Sequence, residues 1–120
     1  MKKFNIKVNI ESTETNTSYN AVAIIEEDMI KYIEIDNTNV ILDIKNNILN
    51  RENEKIKMKL EFNIEEITIN EIYLKDLNST ISIMVKTKEI IKRDKFYKVE
   101  YEIIDNDNFK YSIEVGERNE

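Results

Sequence analysis

The sequence predicts an all-β protein, an antiparallel meander β-barrel of about eight to ten strands. Three observations carry that expectation. Ile56, Met58, Leu60, Phe62 and Ile64 occupy every second position, with Lys57, Lys59, Glu61 and Asn63 between them. Successive side chains point to opposite faces of a strand, so this run has one dry face and one wet face. The apolar set is dominated by Ile, whose branched Cβ suits a pleated surface better than a helix. The alternating runs are also joined by short polar connections, which make sequential strands antiparallel neighbours. A flat meander of this length would expose long unpaired edges, and closure removes them.

The elements follow in order. Phe4, Ile6, Val8 and Ile10 begin alternating directly after Lys2 and Lys3. No continuous apolar run follows those lysines, so they open the first strand rather than a signal peptide. Residues 11–18 read as a polar loop. Residues 19–27 are apolar on both faces, with Ala21, Ala23 and Ile25 against Val22 and Ile24. Glu26, Glu27 and Asp28 turn into a strand over 29–35, and 36–39 are a turn by composition. Val40, Leu42 and Ile44 make the next dry face. Asn46 and Asn47 form a dipeptide suited to the positive φ of a tight hairpin. Ile48 and Leu49 belong to a short return strand that ends near Arg51. After the strand at 56–64, Ile67 and Ile69 and then Ile72 and Leu74 read as dry. The phase slip at Asn70 and Glu71 predicts a β-bulge. Ile81, Ile83 and Val85 continue in a strand toward Ile91. Tyr97, Val99, Tyr101 and Ile103, then Phe109, Tyr111, Ile113 and Val115, make the closing pair, and Gly116 ends the last strand. The expected organisation is one barrel domain over 1–116 with a polar tail over 117–120.

Composition narrows the chemistry. The 120-residue chain has no Cys and no His. Disulfides, thiol nucleophiles, the commonest general base and the usual zinc ligands are therefore absent, and no metal site or cofactor is expected. One glycine cannot build a phosphate-cradling loop, and no Gly-x-Ser-x-Gly elbow is present. Calcium loops starting at Asp36 or Asp105 fail at their sixth and twelfth positions. No catalytic residues are assigned. The net charge of −6 opposes nucleic-acid binding. No segment has the roughly 18 consecutive apolar residues of a membrane-spanning helix, so a cytoplasmic location is expected.

Between Arg51 and Val115 three pieces of sequence carry a resemblance: Arg51 to Met58, Ile81 to Lys88 with its Val-x-Thr element, and the closing alternating strands at 99–104 and 109–115. Together they are similar to the YwiB-like family of small bacterial proteins, whose fold is a calycin-type (lipocalin-like) β-barrel. The N-terminal half matches that family in strand order. Where relatives place a Pro-Tyr-Gly-like turn, this chain has Asp76, Leu77 and Asn78, and Asn78 is expected to take the left-handed conformation instead of Gly. The family is largely uncharacterised, so the resemblance implies a fold and no activity.

A barrel of this size either fills with side chains or holds one small ligand. Tyr97 and Tyr101 share one strand face and are the first candidates to line a pocket, with Tyr32 and Tyr73 behind them; the simpler reading makes them core rings with hydroxyls at the rim. Arg51, one of three arginines, is a candidate for gripping a carboxylate or phosphate. Its simpler reading is a surface ion pair with Glu52 or Glu54. The basic run at 86–98 reads as a solvated hairpin whose lysines guard an edge. The leading expectation is a non-catalytic barrel binding a small, partly apolar ligand in its bore. The alternative is a filled barrel acting in assembly through a strand edge or outer patch, with a homodimer among the forms that the doubly apolar 19–27 segment would allow. An enzyme is the third reading.

Overall fold

The computed structural model describes residues 2–119. Ten strands form one closed barrel: β1 Lys3–Ser12, β2 Asn16–Glu26, β3 Met29–Ile33, β4 Asn39–Asp43, β5 Ile48–Glu52, β6 Ile56–Glu61, β7 Thr68–Leu74, β8 Ser79–Arg93, β9 Phe96–Ile103 and β10 Asn108–Arg118. Each pairs antiparallel with the next in sequence, and β1 closes the wall by pairing with β10. The turns after β1, β3, β5, β7 and β9 therefore lie at one end. We call it the tyrosine mouth. The turns after β2, β4, β6 and β8, with both termini, lie at the other, the apolar mouth.

The dry faces meet on the barrel axis. Val8, Leu42, Leu60, Val85, Val99 and Ile113 are fully buried and plug the bore at mid-height. Turns are made with almost no glycine. Glu27, Asn37, Asn47, Asn78, Lys95 and Asp105 all take positive φ, a conformation that Asn and Asp tolerate best among residues with a side chain. Of the Asn46–Asn47 dipeptide only Asn47 takes the left-handed conformation, and Asn78 takes it as expected.

The wall is unevenly sewn. β1 and β2 pair along nearly their whole length. β2 and β3, however, share only three residue pairs, 24–26 with 29–31. β6 and β7 also share only three, 56–58 with 72–74. These two short seams divide the wall into a four-strand sheet, β3 to β6, and a six-strand sheet, β7 to β10 continuing into β1 and β2. The first seam opens toward the tyrosine mouth and the second toward the apolar mouth.

Several sequence expectations are corrected here. Ile67 and Ile69 do not face the core; Ile69 is 74% exposed. Thr68 and Asn70 face inward instead. Where the β6–β7 ladder stops, the Thr68 hydroxyl donates to the Glu61 carbonyl at 2.6 Å and the Asn70 side-chain oxygen accepts from the Glu61 N–H at 2.8 Å. Side chains replace missing ladder bonds, and that requires polar residues on the inner face. No bulge occurs at Asn70, because β7 pairs with β8 in unbroken register. The irregularities fall at Thr87–Glu89 of β8 and Phe4–Ile6 of β1. β3 ends at Ile33, and β10 runs past Gly116 to Arg118, with the Asn119 N–H donating to the Lys3 carbonyl.

Candidate functional site

Two groups of inward side chains stand out, one toward each mouth. Toward the tyrosine mouth, the two-residue period carries Ile30 and Tyr32 of β3 inward and continues to Glu34 just beyond it. The same period carries Leu49 and then Arg51 inward on β5. Arg51 donates from Nε (3.1 Å) and Nη2 to the same Glu34 carboxylate oxygen. The other Glu34 oxygen accepts from the Tyr19 hydroxyl at 2.8 Å. Tyr19 also reaches the Tyr32 hydroxyl at 3.4 Å, and Tyr32 shares a 2.6 Å bond with the Tyr111 hydroxyl. Tyr19 lies on the part of β2 that has left β3, so this network spans the open seam.

The electrostatics follow from that packing. Burial raises the Tyr19, Tyr32 and Tyr111 phenols. Burial alone would lower Arg51, but the Glu34 carboxylate outweighs it and holds the guanidinium charged. Arg51 therefore pairs with Glu34, two strands away over β4, rather than with Glu52 or Glu54, correcting the surface-pair expectation. Glu52 instead binds Lys75 at 2.8 Å. A carboxylate with a guanidinium on one oxygen and a phenol on the other is already well satisfied. The arrangement is a structural clamp in which Arg51 gives its Nε and one Nη2 donor to Glu34.

The apolar mouth differs. Ile25, Ile30, Ile44, Tyr97, Ile113 and Val115 form an open bowl of about 270 Å³, with Phe4 and Phe96 in its wall and Lys92, Arg93 and Lys95 around it. Tyr97 is buried, and its hydroxyl donates weakly to the Asn47 side-chain oxygen at 3.3 Å. Burial, with the nearby Asp43 charge adding to it, raises its pKa.

The sequence-derived candidates thus separate. Tyr32 and Arg51 meet through Glu34. Tyr97 lines the bowl at the other mouth. Tyr101 lies in the core against Phe62 (ring centroids 4.9 Å apart) and Phe109 (5.3 Å), and burial pushes its pKa up to about 12 despite Arg51 nearby. Tyr73 is outside the barrel, donating to Asn78 at 2.6 Å beside a shallow outer hollow. Sequence reading passed over Tyr19, Glu34 and Tyr111. The signal for Glu34 was present, because it sits two residues beyond Tyr32 on the same strand phase.

The outer wall holds a larger depression of about 750 Å³, lined by Val22, Ile24, Ile33 and Ile41 with Lys3, Lys31 and Glu52. It lies where β2 diverges from β3.

Comparison with known proteins bears on the fold. YwiB from Bacillus subtilis, known from its crystal structure, superposes with a TM-score of 0.60 over 96% of this chain and 91% of its own, at 14% sequence identity. The fold is YwiB-like. No protein-family model matches the chain, and no curated protein does. At that identity the likeness concerns backbone architecture and carries no site residues across.

Proposed function

We propose that this protein is a non-catalytic binding barrel that takes a small, partly apolar ligand in its apolar mouth, with Tyr97 in the floor. The observation that supports this reading is the bowl itself: concave, apolar-walled, open to solvent and continuous with the inner face of the barrel. Its volume of about 270 Å³ lies just under the usual range for small-molecule sites. The site is the mouth and not the bore, because the bore is plugged at mid-height. Tyr101 is accordingly left out of the proposed site, and Arg51 and Tyr32 serve the clamp at the far end. The absence of His and Cys from the sequence supports a binding rather than a catalytic role. Among the described residues no helix is long and apolar enough to cross a membrane; the cytoplasm is the proposed location. The calycin-type assignment is likewise a proposal, supported by the ten-strand closed meander.

The test is a titration with decanol, an uncharged amphiphile, followed by amide chemical shifts in an isotope-labelled sample. Shifts should cluster at Ile30, Ile44, Tyr97 and Ile113 and leave Tyr19, Glu34 and Arg51 still. A response confined to the outer wall would overturn the reading.

A second reading, assembly, is favoured by a specific observation. Along residues 16–23, β2 has no ladder partner on its β3 side among the described residues. No charged residue falls between Asn16 and Ile25 in a chain that is 35% charged. Edge strands ordinarily carry a charge that blocks pairing with another chain. Val22 and Ile33, 47% and 60% exposed, flank this edge. If the edge joins two copies, Val22→Lys should turn a concentration-dependent dimer into a monomer in sedimentation.

A further inference from the structure

We infer that the apolar mouth selects a ligand bearing one anionic head, a carboxylate or phosphate, on its apolar body. This rests on the binding reading above and adds the chemistry of the head group. The three cations come from the β8–β9 hairpin. Lys92 pairs across the ladder with Tyr97, so its Cβ lies on the inward face and its stem stands over the bowl; Arg93 pairs with Phe96. Lys95 is the positive-φ residue of the turn, and its carbonyl accepts from the Val115 N–H at 2.9 Å. That bond carries the β9–β10 pairing one step past Glu114 and Phe96 and anchors the hairpin tip to the neighbouring strand, which fixes the backbone from which the three charges extend.

Among the described residues none of these cations forms an ion pair; the salt bridges are Arg51–Glu34, Lys75–Glu52 and Lys110–Glu100. Asp94 in the same turn takes none of them. The acidic residues Glu26, Glu27 and Asp28 lie across the mouth in the β2–β3 turn, but the bowl is lined by the three cations and by no carboxylate. An amphiphile whose body fills the bowl therefore sets its head among Lys92, Arg93 and Lys95. Their methylene stems extend the apolar wall while their charged ends stay in water. The bowl has room for roughly nine water volumes, enough for a short acyl chain or a small fused ring. The net charge of −6 does little to oppose this, since charges more than about 8 Å away are screened at physiological salt.

The test compares decanoate, decanol and decyltrimethylammonium, three amphiphiles with one chain and different heads, in the same amide-shift titration. Each exposed cation contributes up to about 1 kcal/mol, so decanoate should bind about tenfold tighter than decanol, which corresponds to roughly 1.4 kcal/mol. The advantage should shrink as salt is added. The variant Lys92→Glu, Arg93→Glu, Lys95→Glu should abolish the preference for decanoate over decanol, with the dispersed amide spectrum reporting that the barrel is still folded; a preference that survives in the folded variant overturns the inference. Equal affinity for decanoate and decanol at all salt concentrations overturns the anionic assignment while the binding reading stands. No binding by any of the three overturns both. Co-sedimentation with phosphatidylglycerol vesicles and no binding of monomeric decanoate would assign the cations to a lipid surface and overturn the inference.

Discussion

Tyrosine serves opposite purposes at the two mouths. At one, Tyr19, Tyr32 and Tyr111 pass hydrogen bonds to each other and to Glu34, and the Arg51 guanidinium closes the set. At the other, Tyr97 has a single long bond to Asn47 and otherwise offers an aromatic face to an apolar hollow. The contrast follows from how the wall is sewn. Where β2 leaves β3, a gap in the ladder must be bridged, and long polar side chains from both sides meet across it. At the apolar mouth the β8–β9 hairpin beside the bowl closes with ordinary ladder bonds, Thr68 and Asn70 bridge the β6–β7 gap, and the inner face beside the hairpin is left unfilled. A polar network is therefore not by itself a sign of a binding site; here it marks the seam, and the vacant apolar wall marks the candidate site.

The largest test of this contrast is alkaline pH. Tyr19, Tyr32, Tyr97, Tyr101 and Tyr111 all have pKa values raised in the folded protein, with burial the leading cause. The unfolded chain releases these protons near pH 10 while the folded one keeps them. The stabilisation is thus fully present below pH 10 and is lost as pH climbs toward the folded values. Each tyrosine held neutral costs about 1.4 kcal/mol per pH unit above 10. Tyrosinate absorbance from these residues should appear together with loss of the β-sheet circular dichroism. Ionisation of the clamp tyrosines in a barrel that stays folded would show that the seam is not sealed.

A smaller effect is expected from Arg51→Ala, which strands the Glu34 carboxylate among phenols. With the pair only partly buried, the loss should be about 2–3 kcal/mol in urea unfolding, below the range for fully buried pairs. Adding Glu34→Gln should recover part of it. Next, Tyr111→Phe leaves the buried Tyr32 hydroxyl short of a partner and should cost about 1–2 kcal/mol. Tyr97→Phe removes only the 3.3 Å bond and should cost under about 1 kcal/mol. Equal costs at the two tyrosines would erase the distinction between the mouths.

The barrel was legible in the chain because the two-residue period survives in nearly every strand, and Asn47 and Asn78 marked their turns. It misled at Ile67 and Ile69, where an open seam inverts the usual rule and places Thr68 and Asn70 inside. The candidate site was legible only in pieces. Tyr97 was found from its phase, but the basic run at 86–98 read as edge protection, since nothing local reveals that Lys92 stands over a hollow formed with Ile25, Ile30 and Ile44. Arg51 invited a pairing with its neighbours in sequence. Its partner lies 17 residues away, brought within reach by the pairing of β3 with β4 and of β4 with β5, whose registers line up Tyr32, Val40 and Arg51.

The two short seams also govern how this molecule comes apart. Strands β3 to β6 are fastened to the rest by three residue pairs on either flank, so they form the segment able to swing away while the six remaining strands stay joined. Amide protons along both flanks should exchange with solvent well before those shared by β1 with β10 and β2. Brief excursions of that panel would bare the whole inner lining, and a protease would enter there first.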